Sequence, residues 1–433
     1  MLDIQYIREK PDYVKERSEQ KGYVVDVAAL LQADKKRSEL LQKVESIRQQ
    51  RNENADQIKQ PSGRPDKALI EKGKQLKVEL AGLEEELRSI EEQWLSRLKQ
   101  IPNMPLDTVP VGETEEENIV VREVGNKPDF SFQPKNHAEL AEAKGWLDKE
   151  RAAKVSGARF AYLKGDLVRL QWAMMQFGLD VLMSQDIIRK LITEKDLNII
   201  DKPFMPVLPP HLIKTEPYDA MDRLEPREDR YKIEGEELWL QGSAEHVLGS
   251  MHADEIIPED DLPLRYVGYA TSYRREAGTY GKDMEGIIRM HQFDKLEMQS
   301  ITSAETSIDE HLLMIALQEY LMQQLGLPYR VLEKCTADIG KPNARGWDID
   351  AWLPGQSKYR ETHTADYMTD YQARRLNTRM RQSSGELALV HTNDATALAQ
   401  RPLIAIIENY QTEEGNVRIP DVLQPYMHGK EQI

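Results

Sequence analysis

A seam of apolar residues constrains this chain more than any other feature. Leu69, Leu76, Leu80, Leu83, Leu87, Ile90 and Trp94 recur at steps of 7, 4, 3, 4, 3 and 4, with Gly73 in the vacant place. That is the a and d spacing of a coiled-coil helix, held for nearly four heptads. A weaker version precedes it: Leu40, Val44, Ile47, Arg51, Ala55 and Ile58 step by 4, 3, 4, 4 and 3. Between the two runs lies QPSGRPDK, whose prolines and glycine no helix continues through. Two helices joined by one turn must run antiparallel. Residues 27–100 are therefore expected to form a helical hairpin, about 30 residues per limb and ~45 Å long, that projects as an arm.

The arm differs in charge from the rest. The chain as a whole carries −16, which by itself argues against a nucleic-acid partner. From Lys43 to Lys77, however, nine basic residues face five acidic ones, a local +4. A solvated coiled-coil face explains this blandly; a finger that touches a polyanion explains it sharply. The basic candidates there are Arg48, Arg51, Lys59, Arg64, Lys67, Lys72 and Lys74.

Beyond the arm, IPNMPLDTVPVGETEEEN is proline-rich and acidic and reads as a linker. We expect a boundary near residue 105, giving an N-terminal domain over 1–105 and a second over 106–433. At about 150 residues per domain, 433 residues allow two or three. In the second part, HAELAEAKGWLDKERAAK, DLVRLQWAMMQFGLDVLMSQ and SAETSIDEHLLMIALQEYLMQQLG have helical spacing, with Gly326 as a stop for the last. MPVLPP, ELWLQGSAE, PLRYVGYATSYRRE and GIIRMHQFDKLEMQSI alternate as strands do. The expected class is α+β: a helical arm followed by an antiparallel sheet flanked by helices.

No apolar run approaches the ~20 residues of a membrane helix. MLDIQYIREK is charged within three residues and lacks an apolar segment, so no signal peptide is expected and a cytoplasmic location is. Cys335 is the sole cysteine, which rules out an internal disulfide and a cysteine-built zinc site and leaves it a structural role.

YRREAGTYGKDMEGIIRMHQFDKLE carries the chemistry. On strand alternation, Arg274 and Glu276 share one face, and Arg289, His291, Phe293, Lys295 and Glu297 share a face of the next strand. Gly278, Gly281 and Gly286 permit a loop between. A sheet face with arginines, carboxylates and a ring suits a nucleotide: arginine holds phosphate, phenyl stacks on a base, and carboxylate accepts from an exocyclic amine. An outer sheet face laced with salt bridges is the alternative.

This stretch resembles motif 2 of the seryl-tRNA synthetases, class II aminoacyl-tRNA synthetases. The resemblance covers essentially the whole chain. LDKERAAKVSGARFAYLKGD is similar to the segment leading into the family's catalytic domain, MPVLPP to motif 1 at its dimer interface, and GSAE to its Thr-x-Glu. YRETHTADYMTDYQARR and HTNDATALAQRPLIAIIENYQ are similar to a later active-site strand and motif 3, and the hairpin to its tRNA-binding arm. The resemblance implies serine–tRNA ligation: L-serine and ATP give seryl-adenylate, and the seryl group passes to the 3′ end of serine tRNA, with selenocysteine tRNA left open as a further acceptor. It implies Arg274 at the α-phosphate, Glu276 at the adenine amine, Phe293 on adenine, and Arg289 and Arg401 at the outer phosphates, with Arg275 among the ATP-binding set. Glu361 would bind Mg²⁺ within the ATP-binding run Glu361, Thr362, His363 and Thr364. Ser243, Ala244, Glu245, Glu297 and Thr396 would form the serine pocket; the carboxylates suit an ammonium group and a hydroxyl. Arg274, Arg401 and Glu361 would carry catalysis by alignment and charge neutralisation. A homodimer is implied, with no membrane or DNA partner. Three departures stand out: Ser243 replaces the usual threonine, Ala397 and Ala399 stand where glycines are common, and the run from Thr396 to Arg401 is one residue short. Two other readings are an amino-acid ligase acting on a carrier other than tRNA, and a non-catalytic RNA-binding paralogue.

Overall fold

The computed structural model describes residues 1–59, 66–277 and 286–433. They divide into two compact units, Met1–Met104 and Pro105–Ile433. Arg64, Gly278 and Gly281 lie outside the described residues.

The first unit opens with two short helices, Ile4–Glu9 and Pro11–Gln20, the second begun by proline at a position where no amide is needed. The long helices follow: α1, Val27–Lys59, and α2, Lys67–Gln100. Asp66 caps α2, its side chain accepting from the Ala68 amide. Cross-links run from Arg37 to Glu91, Arg48 to Glu84 and the Asn54 amide to the Leu69 carbonyl. As one partner's number climbs the other's falls, so the limbs are antiparallel, as expected. Leu40, Val44, Ile47, Leu76, Leu80, Leu87 and Ile90 are buried between them, with Leu83 and Trp94 partly so. One expectation fails: Arg51 is exposed, and Asn54 is the polar residue that enters the seam. Gly73 makes room for it, since a Cβ there would meet Asn54 Nδ2 at 3.1 Å.

The second unit is built on an eight-stranded sheet. In chain order the strands are β1 Ile119–Val124, β2 Met205–Val207, β3 Leu264–Tyr273, β4 Gln292–Thr302, β5 Tyr329–Glu333, β6 Arg345–Leu353, β7 Lys358–Thr369 and β8 His391–Leu398. In space they run β1-β5-β6-β7-β8-β4-β3-β2. Every neighbouring pair is antiparallel except β2 with β3. Helices α3 (Asp166–Leu182), α5 (Ser307–Gln324) and α6 (Gln400–Asn409) cover the sheet, and a five-residue helix α4 (Glu245–Gly249) lies near β3 and β4. Leu313, Leu317 and Leu321 of α5 and Leu403, Ile406 and Ile407 of α6 are fully buried; each such side chain contributes roughly 1.5–3 kcal/mol. Gly326 ends α5 at φ +65°, the left-handed conformation expected of a helix stop.

Two segments differ from the spacing that suggested them. HAELAEAKGWLDKERAAK is not one helix: His137–Ala143 and Lys149–Ser156 are separate, broken at Gly145 with φ +64°. Strand alternation also does not hold across the motif 2 stretch. β3 stops at Tyr273 and β4 starts at Gln292, so Arg274, Glu276, Arg289 and His291 sit on irregular backbone.

Candidate active site

A pocket with free space of about 660 Å³ lies against β4, β7 and β8. Its wall includes Arg274, Glu276, Arg289, Phe293, Glu361, Thr362, Thr364, Thr396 and Arg401. These residues come from three well-separated parts of the sequence. β4 supplies Phe293, β7 supplies Glu361, Thr362 and Thr364, and the first turn of α6 supplies Arg401.

The backbone between β3 and β4 is fixed by hydrogen bonds rather than by strand pairing. The Arg274 amide donates to the His291 carbonyl at 2.9 Å, and Arg274 Nε to the Gly242 carbonyl at 2.9 Å. Glu276 is left-handed at φ +51°, a conformation that costs about 1 kcal/mol or more away from glycine. Asp229 braces it on both sides, its carbonyl accepting from the Arg275 amide at 3.0 Å and its Oδ1 from the Ala277 amide at 2.7 Å. Arg159 donates to the Glu276 carbonyl at 2.9 Å. The Glu276 carboxylate then meets Arg289 Nη1 at 2.6 Å. The Arg274 guanidinium lies 5.4 Å from the Phe293 ring centre. Arg401 Nη1 reaches the Glu361 carbonyl at 2.7 Å and its carboxylate at 3.3 Å. Partial desolvation by the pocket wall opposes ionisation of Glu361, but Arg401 and Lys334 hold its carboxyl below the ordinary value.

Next to this wall lies a buried polar cluster. Ser243 Oγ donates to Glu245 at 3.2 Å and accepts from Lys295 Nζ at 3.2 Å, and Lys295 ion-pairs with Glu297. Lys295 and Thr396 line the pocket and belong to this cluster's surroundings. Close packing puts α4 here: a Cβ on Gly268 of β3 would meet Leu248 at 2.8 Å and Ala244 at 3.1 Å. Burial raises Glu297 to about 7 despite Lys295. Burial would raise Glu245 too, but Arg223, 3.2 Å away, and His246 keep it well below the ordinary range. Burial lowers the adjacent His246 to about 4, so it is neutral near pH 7.

Most of the expected residues meet here. Ser243, Glu245 and Glu297 lie in the polar cluster beside the pocket wall, and three others belong to neither. Arg275 turns toward the Tyr231 ring, 6.0 Å from its centre. His363 is 1% exposed and bonded to Thr362, and burial lowers it to about 4. Ala244 is fully buried at the start of α4. Thr362 and Thr364 face the pocket and the ring between them points away, as alternation on β7 demands. The altered motif 3 coincides with a register shift in the β8–β4 pairing between Thr396 and Leu398. Sequence reasoning missed Asp229, Arg159, Arg223, Asp366 and Asp394. Lone charges on separate elements gave no local signal of their meeting.

Comparison with known proteins decides what this geometry belongs to. Residues 1–105 match the seryl-tRNA synthetase N-terminal domain, and residues 229–410 the tRNA synthetase class II core domain of the G, H, P, S and T types. A serine–tRNA ligase of Deinococcus radiodurans is 38% identical, over 100% of this chain and 99% of the relative. The chain belongs to the seryl-tRNA synthetase family. Among solved structures of that family, the Pyrococcus horikoshii seryl-tRNA synthetase complexed with ATP matches at 37% identity and a TM-score of 0.89, covering 100% of this chain and 99% of that one. The cytoplasmic serine–tRNA ligase of Naegleria fowleri in complex with AMP matches at 29% identity and a TM-score of 0.84, covering 100% and 98%. Family and fold class are thus as the motifs implied.

Proposed function

We propose that the chain activates L-serine with ATP and transfers the seryl group to the 3′ end of serine tRNA, as an aminoacyl-tRNA ligase. One observation carries this. A single pocket gathers Arg274, Glu276, Arg289, Phe293, Glu361 and Arg401 beside a buried hydroxyl, ammonium and carboxylate cluster of Ser243, Lys295 and Glu297. The family's solved complexes with ATP and AMP add support.

In this reading adenine stacks on Phe293, with its amine at Glu276, while Arg289 and Arg401 steady the outer phosphates. The serine carboxylate is already ionised and needs no base. One of its oxygens attacks the α-phosphorus, the bond to the β-phosphate bridge breaks, and pyrophosphate leaves. Arg274 neutralises the charge that builds on the α-phosphate. The serine ammonium and hydroxyl meet Glu245, Glu297, Ser243 and Thr396.

Glu361 suits Mg²⁺: its carboxylate is about half exposed at the pocket, and that ion commonly takes one or two protein carboxylates plus substrate phosphates. When bound, the ion would neutralise and orient the triphosphate.

In the same reading serine tRNA is met by the exposed basic side chains of the arm, Arg48, Arg51, Lys59, Lys67, Lys72 and Lys74. We also infer a homodimer through the motif 1 segment, where Met205, Leu208 and Leu212 are exposed. No helix among the described residues is long and apolar enough to cross a membrane, which agrees with a cytoplasmic location.

Amino-acid-dependent ATP–pyrophosphate exchange tests the core of this proposal, with serine, threonine, alanine, cysteine and glycine in parallel. Serine is expected to give the fastest exchange. No exchange with any of them, from folded protein supplied with Mg²⁺, would overturn it in favour of the non-catalytic reading.

A further inference from the structure

The amino-acid end of the site holds more buried carboxylates than the one ammonium of serine can answer. Glu245, Glu297 and Asp394 each bring a carboxylate oxygen within 4.8 Å of the others, and all three are buried. Asp366 on β7 pairs in register with Asp394 on β8. Among the described residues two cations make ion pairs with these four carboxylates, and the charge of Lys334 also reaches Asp366. Lys295 pairs with Glu297. Arg223 is divided among Glu245 at 3.2 Å, Asp366 at 3.5 Å and Asp394 at 3.7 Å. Arg274, whose charge also reaches Glu297, lines the phosphate side of the pocket.

Asp394 is the least satisfied member. It is 1% exposed, and among the described residues neither of its carboxylate oxygens makes a hydrogen bond; nor does Glu297 Oε1. A buried carboxylate left in this state is costly unless something else brings donors and charge. Serine brings one ammonium group, too few donors for the orphaned oxygens of Asp394 and Glu297; burial holds Asp394 well above the ordinary carboxylate range, so a second cation beside it would draw it into its charged form. A substrate with a second ammonium on its β-carbon would complete this carboxylate cage. That group would stand in place of the serine hydroxyl, with three donors for acceptors that a hydroxyl serves with one.

We propose that this site also activates a small 2-amino acid carrying a second ammonium on its β-carbon, and that Asp394 selects it. This rests on the reading that the Ser243–Glu245–Glu297 cluster holds the amino acid. The reaction is the same: a carboxylate oxygen of the diamino acid attacks the α-phosphorus of ATP, pyrophosphate departs, and the diaminoacyl-adenylate forms. Neither amine takes part in bond making, and the surrounding carboxylates hold both in their protonated form. Asp394 is a specificity residue here and takes no part in bond making.

The test is ATP–pyrophosphate exchange by the full chain with L-2,3-diaminopropionate, L-serine and L-alanine, for the unmodified protein and for Asp394→Asn. The expected result is exchange with the diamino acid at least about a hundredfold above alanine, whose uncharged methyl leaves the cage unanswered. The diamino-acid-to-serine ratio should fall about tenfold or more in Asp394→Asn, since that change removes one buried charge partner. Strong exchange with serine and none with the diamino acid overturns this inference and leaves the serine reading standing. Exchange with neither overturns both. An unchanged ratio in Asp394→Asn overturns the assignment to Asp394. If that variant fails to fold, the unmodified protein's preference for the diamino acid over alanine still decides whether the second ammonium is read.

Discussion

The two units use charge in opposite ways. On the arm, charge is at the surface: Arg48 and Glu84 pair at 2.8 Å with side chains 54% and 43% exposed. In the sheet, Lys295 and Glu297 pair with side chains 7% and 0% exposed. Exposed pairs like the first contribute roughly 0–1 kcal/mol and are screened by salt. Buried charges are scarcely screened, and losing one partner strands the other. The arm can therefore present a broad and adaptable basic surface. The sheet can fix a few charges to within a bond length. A long polyanion suits the first, and a small zwitterion with a triphosphate suits the second.

This division predicts that the two activities separate. Replacing residues 35–95 with a short flexible linker should abolish serylation of tRNA and leave serine-dependent ATP–pyrophosphate exchange within a few-fold of the parent. Both assays on the same preparation check it. Loss of exchange as well would mean that the arm supports folding of the second unit rather than acting on its own ligand.

The converse cut lies in the sheet. Arg274→Ala should lower serine activation on the order of 10²–10³-fold, the usual effect of losing one transition-state donor. Binding of tRNA, read by fluorescence anisotropy, should stay the same. Activation near the parent level would remove Arg274 from its assigned role.

How far each region could be read from sequence follows from the same difference. The arm is a local object. Its period and its antiparallel course were both legible, because a helix repeats its contacts every seven residues; the turn itself lies mostly outside the described residues. The one error, Arg51 in place of Asn54, arose where polar contact replaced apolar packing: Asn54 reaches the Leu69 carbonyl beside Gly73. The site is not local. Alternation pointed to Phe293, Lys295 and Glu297, which do share a strand. It misjudged Arg274, Glu276 and Arg289, whose positions are set by Asp229, Arg159 and the Gly242 carbonyl instead. Their roles were suggested by family resemblance and not by spacing. Asp394 and Asp366 gave no signal, because only the register of β7 against β8 brings them together.

Acid–base behaviour sharpens the contrast further. Burial raises Glu297 to about 7 from an ordinary 4.5. Its proton must leave before it can accept from the serine ammonium. Serine affinity should therefore be flat above pH 7 and fall by up to about tenfold per pH unit below it. Calorimetry in buffers of different ionisation enthalpy should detect proton release on binding near pH 7. Stability runs the other way. The folded protein holds this proton more tightly than the unfolded chain does, so the contribution is full below about 4.5 and is lost as pH rises through about 7. Serine affinity independent of pH from 6 to 8 would show that Glu297 does not contact the ammonium.

The smallest expected effect tests the arm most directly. Lys67 and Lys72 are exposed on α2, away from any buried network. If each meets a tRNA phosphate, replacing either by alanine should weaken binding only a few-fold at physiological salt. It should also reduce the slope of log affinity against log salt by about 0.7–0.9. The serine KM should not move. The slope is the decisive reading, because a lysine that merely stabilises the helix would lower affinity without changing the number of counterions released. Unchanged slopes for both variants would return the local +4 of the arm to a solvated coiled-coil face. The tRNA contact would then have to lie on Arg48, Arg51, Lys59 or Lys74, where the same slope measurement can be repeated.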